Sequence, residues 1–117
     1  MIDNAIFIEA GQFRDEADHD RVAERAQQLV GGMMRLKDAG KIADFEAWTM
    51  VTGNKQERAS FVLLKGSADQ INQLVSDTEF QDLQSAAWRL QSNYTVSRVI
   101  TAGRMLELNA ALGRAAP

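Results

Sequence analysis

The chain has 117 residues, 45% of them apolar and 25% charged, with a net charge of −3, one proline and no cysteine. Such a chain makes one ordinary globular domain and buries about two-thirds of its unfolded surface, but it lacks the basic excess that nucleic-acid binding requires and any apolar run long enough to cross a bilayer. Without cysteine, disulfides, thiol nucleophiles and thiolate metal sites are excluded together, which fits a cytoplasmic protein in a reducing compartment.

The N-terminal Met1-Ile-Asp-Asn4 has no basic region followed by an apolar run, so no signal peptide is expected. Ala5 to Phe13 is short, apolar and rich in β-formers, and reads as a strand. The acidic stretch FRDEADHD follows, with Asp18 or Asp20 able to cap a helix. That helix is predicted from His19 to Ala39, because Val22, Ala26, Leu29, Met33 and Leu36 recur at three- and four-residue spacing, and Gly40 ends it. Gly31-Gly32 lies in its middle, where two glycines cost about 2 kcal/mol relative to alanine. A kink, a close approach to the sheet or a ligand against bare backbone would each account for the pair.

Ile42–Thr52 and Arg58–Lys65 read as a hairpin whose five-residue connection GNKQE carries turn formers. Ser67-Ala-Asp-Gln70 matches a capping box, opening a helix with Ile71, Leu74 and Val75 inward. Ser76-Asp-Thr-Glu79 is a second box, so the helix is expected to break near Ser76 to Thr78 and resume with Phe80, Leu83, Ala87 and Leu90 on one face. Trp88, at the margin of that stripe, is expected to pack on the C-terminal helix. Tyr94 to Ala102 is a fourth strand, and a short amphipathic helix runs from Gly103 through Leu112. The whole is a single domain of the α+β class: a ferredoxin-like βαββαβ arrangement with a four-stranded antiparallel sheet and an added helix, its core spanning about residues 5 to 112.

The hairpin is apolar on both faces. With Thr52 set opposite Arg58, Phe45, Ala47 and Val51 share one face with Ala59, Phe61 and Leu63, and that face is expected under the helices. Trp48, Met50, Val62 and Leu64 then share the other, beside Glu46, Arg58 and Ser60. One helical layer covers one face, so this second patch requires a cover. A second copy related by a two-fold axis is the economical one, making Trp48, Met50, Val62 and Leu64 a homodimer interface. The C-terminal helix folded back is the other.

Element order, two-faced strands and the broken helix at SDTEFQDL resemble the dimeric α+β barrel superfamily over nearly the whole chain, from Ala5 to about Leu112. In that superfamily two ferredoxin-like protomers press their sheets together, and each keeps a pocket between the sheet and its helices or loops. Antibiotic-biosynthesis monooxygenases, muconolactone isomerases and small proteins of unassigned activity share the architecture, which does not by itself transfer chemistry.

No catalytic signature accompanies it. His19 is the only histidine and lies among acids at a helix start: either a polar surface residue or a general base tuned by Asp18 or Asp20. With no second histidine and no cysteine, a zinc or haem site is not expected. DEADHD lacks the glycine and terminal glutamate of a calcium loop, and no glycine-rich phosphate loop occurs. No metal and no cofactor are therefore expected. Glu9, Glu46 and Arg98 interrupt apolar β-forming runs, where an unpaired charge is costly. They lie at strand ends in water, or they are paired as orienting or acid–base groups in a pocket lined by Phe7, Trp48, Met50 and Tyr94. Apolar walls with few polar groups suit a small organic ligand. The expectation is a homodimeric small-molecule binding or accessory protein. The alternatives are a cofactor-independent monooxygenase or isomerase acting on a small aromatic or polyketide-like substrate, and a structural interaction module. Nucleic acid and membrane are not expected partners.

Overall fold

A computed structural model describes residues 2–14, 19–54 and 58–115. In chain order it comprises β1 (Asn4–Ala10), α1 (His19–Asp38), β2 (Asp44–Thr49), β3 (Ser60–Gly66), α2 (Ala68–Leu74), α3 (Thr78–Leu90), β4 (Thr95–Ile100) and α4 (Ala102–Ala115). The strands form one antiparallel sheet in the order β2-β3-β1-β4. The fold is α+β and ferredoxin-like, with the second helix divided into α2 and α3 and with α4 added.

Local chemistry sets the helix ends. At the end of α1, Gly40 at φ +73 lets its own N–H reach the Lys37 carbonyl and the Lys41 N–H reach the Leu36 carbonyl, closing two otherwise open acceptors. The α2 box forms as expected: Ser67 Oγ accepts from the Gln70 N–H at 3.1 Å, and Gln70 Oε1 accepts from the Ser67 N–H at 2.9 Å. Before α3 the cap is Asp77, not Ser76, its carboxylate accepting from the Phe80 N–H at 3.0 Å. The cap proposed at Asp18 lies outside the described residues, as do the side chains of Asp20 and Val22.

Gly32 explains half of the glycine pair. A methyl group there would collide with both terminal methyls of Leu83, so the bare backbone of α1 is what lets α3 approach. The contact is with α3 rather than the sheet. At Gly31 an added methyl would meet only Arg35 Nη1, at 3.6 Å.

The core lies between the sheet and the helices. Ile6 and Leu64 from the strands meet Met33 and Leu36 of α1, Ile42, Ile71 and Leu74 of α2 and Phe80 of α3, with Ile8, Phe45, Val62 and Leu83 packed around them. Val75 points outward instead of into this core.

The hairpin register differs by one residue from the expected one. Trp48 pairs with Phe61, Thr49 with Ser60 and Phe45 with Leu64, and the Met50 N–H reaches the Ala59 carbonyl. The strands stop at Thr49 and Ser60, so the connection is twice as long as the five residues expected, with residues 55–57 outside the described set. A one-residue shift turns every side chain of β3 over. Val62 and Leu64 therefore face the helices, Leu64 fully in the core, while Phe61 and Leu63 lie with Trp48 on the far side. Met50 and Val51 fall beyond β2, with Val51 84% exposed. The physical reason is that Phe61-Val-Leu-Leu64 is apolar at every position, so its alternation holds no register information. Pairing of Ile6 with Leu64 and Ile8 with Val62 across β1 and β3 sets it.

On the far side, Trp48, Phe61, Leu63 and Phe7 make a diagonal apolar band, with Phe7 and Phe61 ring centroids 5.7 Å apart. Glu46 is paired to Lys65 at 3.1 Å, and Glu9 to Arg58 at 3.4 Å, beside it. Trp48 remains 54% exposed, so α4 does not cover this band. Leu106 and Leu112 of α4 are 69% and 70% exposed, and the radius of gyration, 16.3 Å, exceeds the about 13 Å of a compact chain of this length. Trp88 does not pack into a buried seam with α4 either: it is 57% exposed, with the Arg14 guanidinium 5.6 Å from its ring centroid.

Candidate functional site

Between α1, α3 and the helix-covered side of the sheet lies a cavity of about 240 Å³. Its floor is Met33, Leu36, Leu64 and Phe80, all buried. Its rim is solvent-exposed and runs along Val30, Phe13 and the edge strand β2 at Ala47 to Thr49. The small volume follows from the packing already described: Gly32 lets α3 close down on α1 at one end, while Ala26, Ala47, Ala59 and Ala87 leave space nearer the rim.

The polar groups around the cavity are neutral. They are Thr49, Ser60, Gln84, Gln91 and Tyr94; no carboxylate, imidazole or cation lines it among the described residues. Gln91, just past α3, is held by its Nε2, which donates to the Gly11 carbonyl and to Ser60 Oγ, each at 3.2 Å. That side chain ties the end of α3 to the end of β1 and the start of β3. Burial pushes the Tyr94 phenol up to about 12, so it stays protonated.

Of the residues singled out in the sequence as pocket-forming, Tyr94 borders this cavity and Trp48 meets it only at the β2 edge, its place in the sheet being on the far side with Phe7, while Met50 falls beyond β2. The charged candidates stand apart from it and from one another. Glu9 and Glu46 are in the surface pairs with Arg58 and Lys65. Arg98 joins β4 to α2, donating to Asn72 Oδ1 and, at 3.2 Å, to Asn4 Oδ1. His19 begins α1, and its side chain lies outside the described residues. Among the described residues no group of three histidine, cysteine or carboxylate side chains is arranged to hold a metal, and no helix is long and apolar enough to cross a membrane.

Sequence reasoning missed Ser60, Gln91 and Phe13. Ser60 carried a usable signal, a hydroxyl at the start of an apolar strand, but the shifted register turned it to the wrong face. Gln91 carried none, because its position depends on where α3 ends against β1.

No protein-family model and no curated protein matches the chain. Solved structures do. A dimeric protein of unknown function and ferredoxin-like fold from Bacteroides fragilis superposes with a TM-score of 0.63 at 8% identity, over 84% of this chain and 96% of that one. The Arabidopsis thaliana protein At3g17210 gives 0.63 at 12% identity, over 85% and 95%. A dimeric ferredoxin-like protein of unknown function from Thermobifida fusca gives 0.60 at 8% identity, over 85% and 92%. The chain is thus a ferredoxin-like α+β protein whose structural relatives include dimers of unknown function. At these identities the likeness is one of fold alone.

Proposed function

We propose that the protein is a homodimer, joined through the far side of its sheet, that binds a small apolar molecule in the cavity between sheet and helices. The observation that carries the reading is the cavity itself: about 240 Å³, apolar-walled, open at one rim, with only neutral polar groups lining it among the described residues. Cavities of about 300 Å³ and more hold drug-sized ligands, so this one suits something smaller. Dimerisation is supported by the exposed aromatic band of Trp48, Phe61 and Phe7, together with the dimeric relatives of the same fold. The lack of cysteine suits a reducing cytoplasm.

Binding is favoured over turnover because acid–base catalysis by the protein needs a group that can exchange a proton near neutral pH. Tyr94, the one ionisable side chain lining the cavity among the described residues, is held protonated. Two measurements test the reading. Sedimentation should give the mass of two chains. Phenylnaphthylamine, a neutral dye that fluoresces in apolar sites, should bind saturably with one site per chain, and Val62→Phe should fill the cavity and abolish that binding. A monomer sinks the first half of the proposal, and dye uptake without saturation sinks the second.

A further inference from the structure

Polar and apolar groups are segregated along the cavity wall. Across the helix-covered side of the sheet, Thr49, Ser60 and Ala10 form one row and Ala47, Val62 and Ile8 the next. Tyr94 extends the first row: it immediately precedes β4 and has the same parity as Val96, which pairs with Ile8. Gln91 closes the same end, since its amide reaches Ser60 Oγ. Beyond the second row the wall is Leu64, Met33, Leu36 and Phe80.

This end of the cavity is rich in donors. Ser60 Oγ already accepts from Gln91, which leaves its hydroxyl proton to be given away. The Tyr94 hydroxyl has no protein partner among the described residues and, kept protonated by burial, it too can donate. Among the described residues no charge of either sign lines it to match an ionised ligand. Arg89 borders a neighbouring groove that shares Gln84 and Tyr94, not the cavity.

We propose that the cavity selects a neutral ligand with an apolar body of one or two rings, or a short chain, carrying one carbonyl or similar acceptor that the row of Ser60 and Tyr94 binds. This rests on the binding reading above and gives the ligand its chemical class. A buried carboxylate would lose its hydration without gaining a cation, and a buried ammonium would lose its own without gaining an anion. A plain hydrocarbon would offer no acceptor to either hydroxyl proton.

Three probes of nearly equal shape test it: methyl naphthyl ketone, isopropylnaphthalene and naphthoate, titrated against the full chain at neutral pH by displacement of phenylnaphthylamine. The ketone should bind several-fold more tightly than the hydrocarbon, as one or two hydrogen bonds give, and more than about tenfold more tightly than the carboxylate. Tyr94→Phe and Ser60→Ala should each reduce the ketone's advantage and leave hydrocarbon affinity unchanged, so the hydrocarbon also reports that the variant cavity is intact. Equal affinity for ketone and hydrocarbon, or preference for naphthoate, overturns the inference while the binding reading stands. If none of the three displaces the dye, the inference falls; if the dye itself does not bind saturably, the binding reading falls with it. The ranking on the unaltered protein decides the matter even if a variant does not fold.

Discussion

Trp48 stands directly opposite Phe61 across β2 and β3, the two rings 6.1 Å apart and 15° from parallel, on the side of the sheet opposite the helical layer. Adjacent Phe7 extends the pair into a band, and this band, rather than one built on Val62 and Leu64, is the proposed dimer face. Trp48→Glu and Phe61→Glu should therefore shift the mass in solution from two chains to one and leave the circular dichroism of the domain intact. Val62→Glu should instead prevent folding, because it places a charge among Ile8 and Leu64. Leu64→Ala should cost about 2–5 kcal/mol in urea denaturation. Exchanged outcomes at positions 61 and 62 would mean that the strands pair one residue differently.

Gly31→Ala and Gly32→Ala should differ in sign. At position 31 the added methyl finds space and removes backbone freedom from the unfolded chain, a gain of up to about 1 kcal/mol. At position 32 it drives Leu83 off α1, a loss of about 1–3 kcal/mol. Leu83→Ala in the Gly32→Ala background should recover part of that loss. Similar stabilities for the two alanine variants would remove the helix crossing as the reason for the glycine.

Tyr94 is the single tyrosine, so an ultraviolet titration of the phenolate reads it directly. The folded value, pushed to about 12 by burial, exceeds the ordinary 10. The folded state thus holds the proton more tightly than the unfolded one, and the associated stability is full below pH 10 and is lost as pH rises towards 12. Tyr94→Phe should lack that alkaline loss. A phenolate titrating at 10 would mean that the side chain stands in water instead of at the cavity.

The acid side has its own reporter. Lys41 Nζ, 2.7 Å from the Asp77 carboxylate, together with the Phe80 N–H, holds that carboxyl below its ordinary value. A lowered folded value stabilises the protein above the unfolded value of about 3.9, and the contribution is lost as pH falls through the folded one. Asp77→Asn keeps the helix cap and removes the charge, so denaturation midpoints should fall less steeply below about pH 4 than in the unaltered protein. An identical acid slope would show that the ion pair adds nothing.

The α4 helix is joined to the domain through Thr101, whose N–H donates to the Asp3 carbonyl at 3.0 Å, and through Arg104, which lies 4.0 Å from the Asp3 carboxylate. Its large side chains stay exposed and contribute nothing to the core. Ending the chain after Thr101 should leave the urea midpoint of the monomeric Trp48→Glu variant nearly unchanged. A large loss would place α4 against the domain in solution.

Much of this was legible in the residues. Helix α1 begins at His19 as its periodicity predicts, the Ser67 box caps α2, and the acid-rich SDTE breaks the second helix, because each of these depends on neighbours three or four positions away. The cavity was less so. Trp48 and Tyr94 were singled out for their chemistry, but Ser60, Gln91 and Phe13 reach the site through pairings separated by up to 80 positions in the chain.

The sequence alone determined the element order, the fold class and the surplus of apolar strand residues, since period-two and period-3.6 patterns and capping chemistry act over short range. Only the tertiary structure decided which of Phe61, Val62, Leu63 and Leu64 faces the helices, and with them the makeup of cavity and exposed band. The reason is that a run apolar at every position satisfies either register locally; the choice between them is made by what Ile6, Ile8 and Leu36 can pack against.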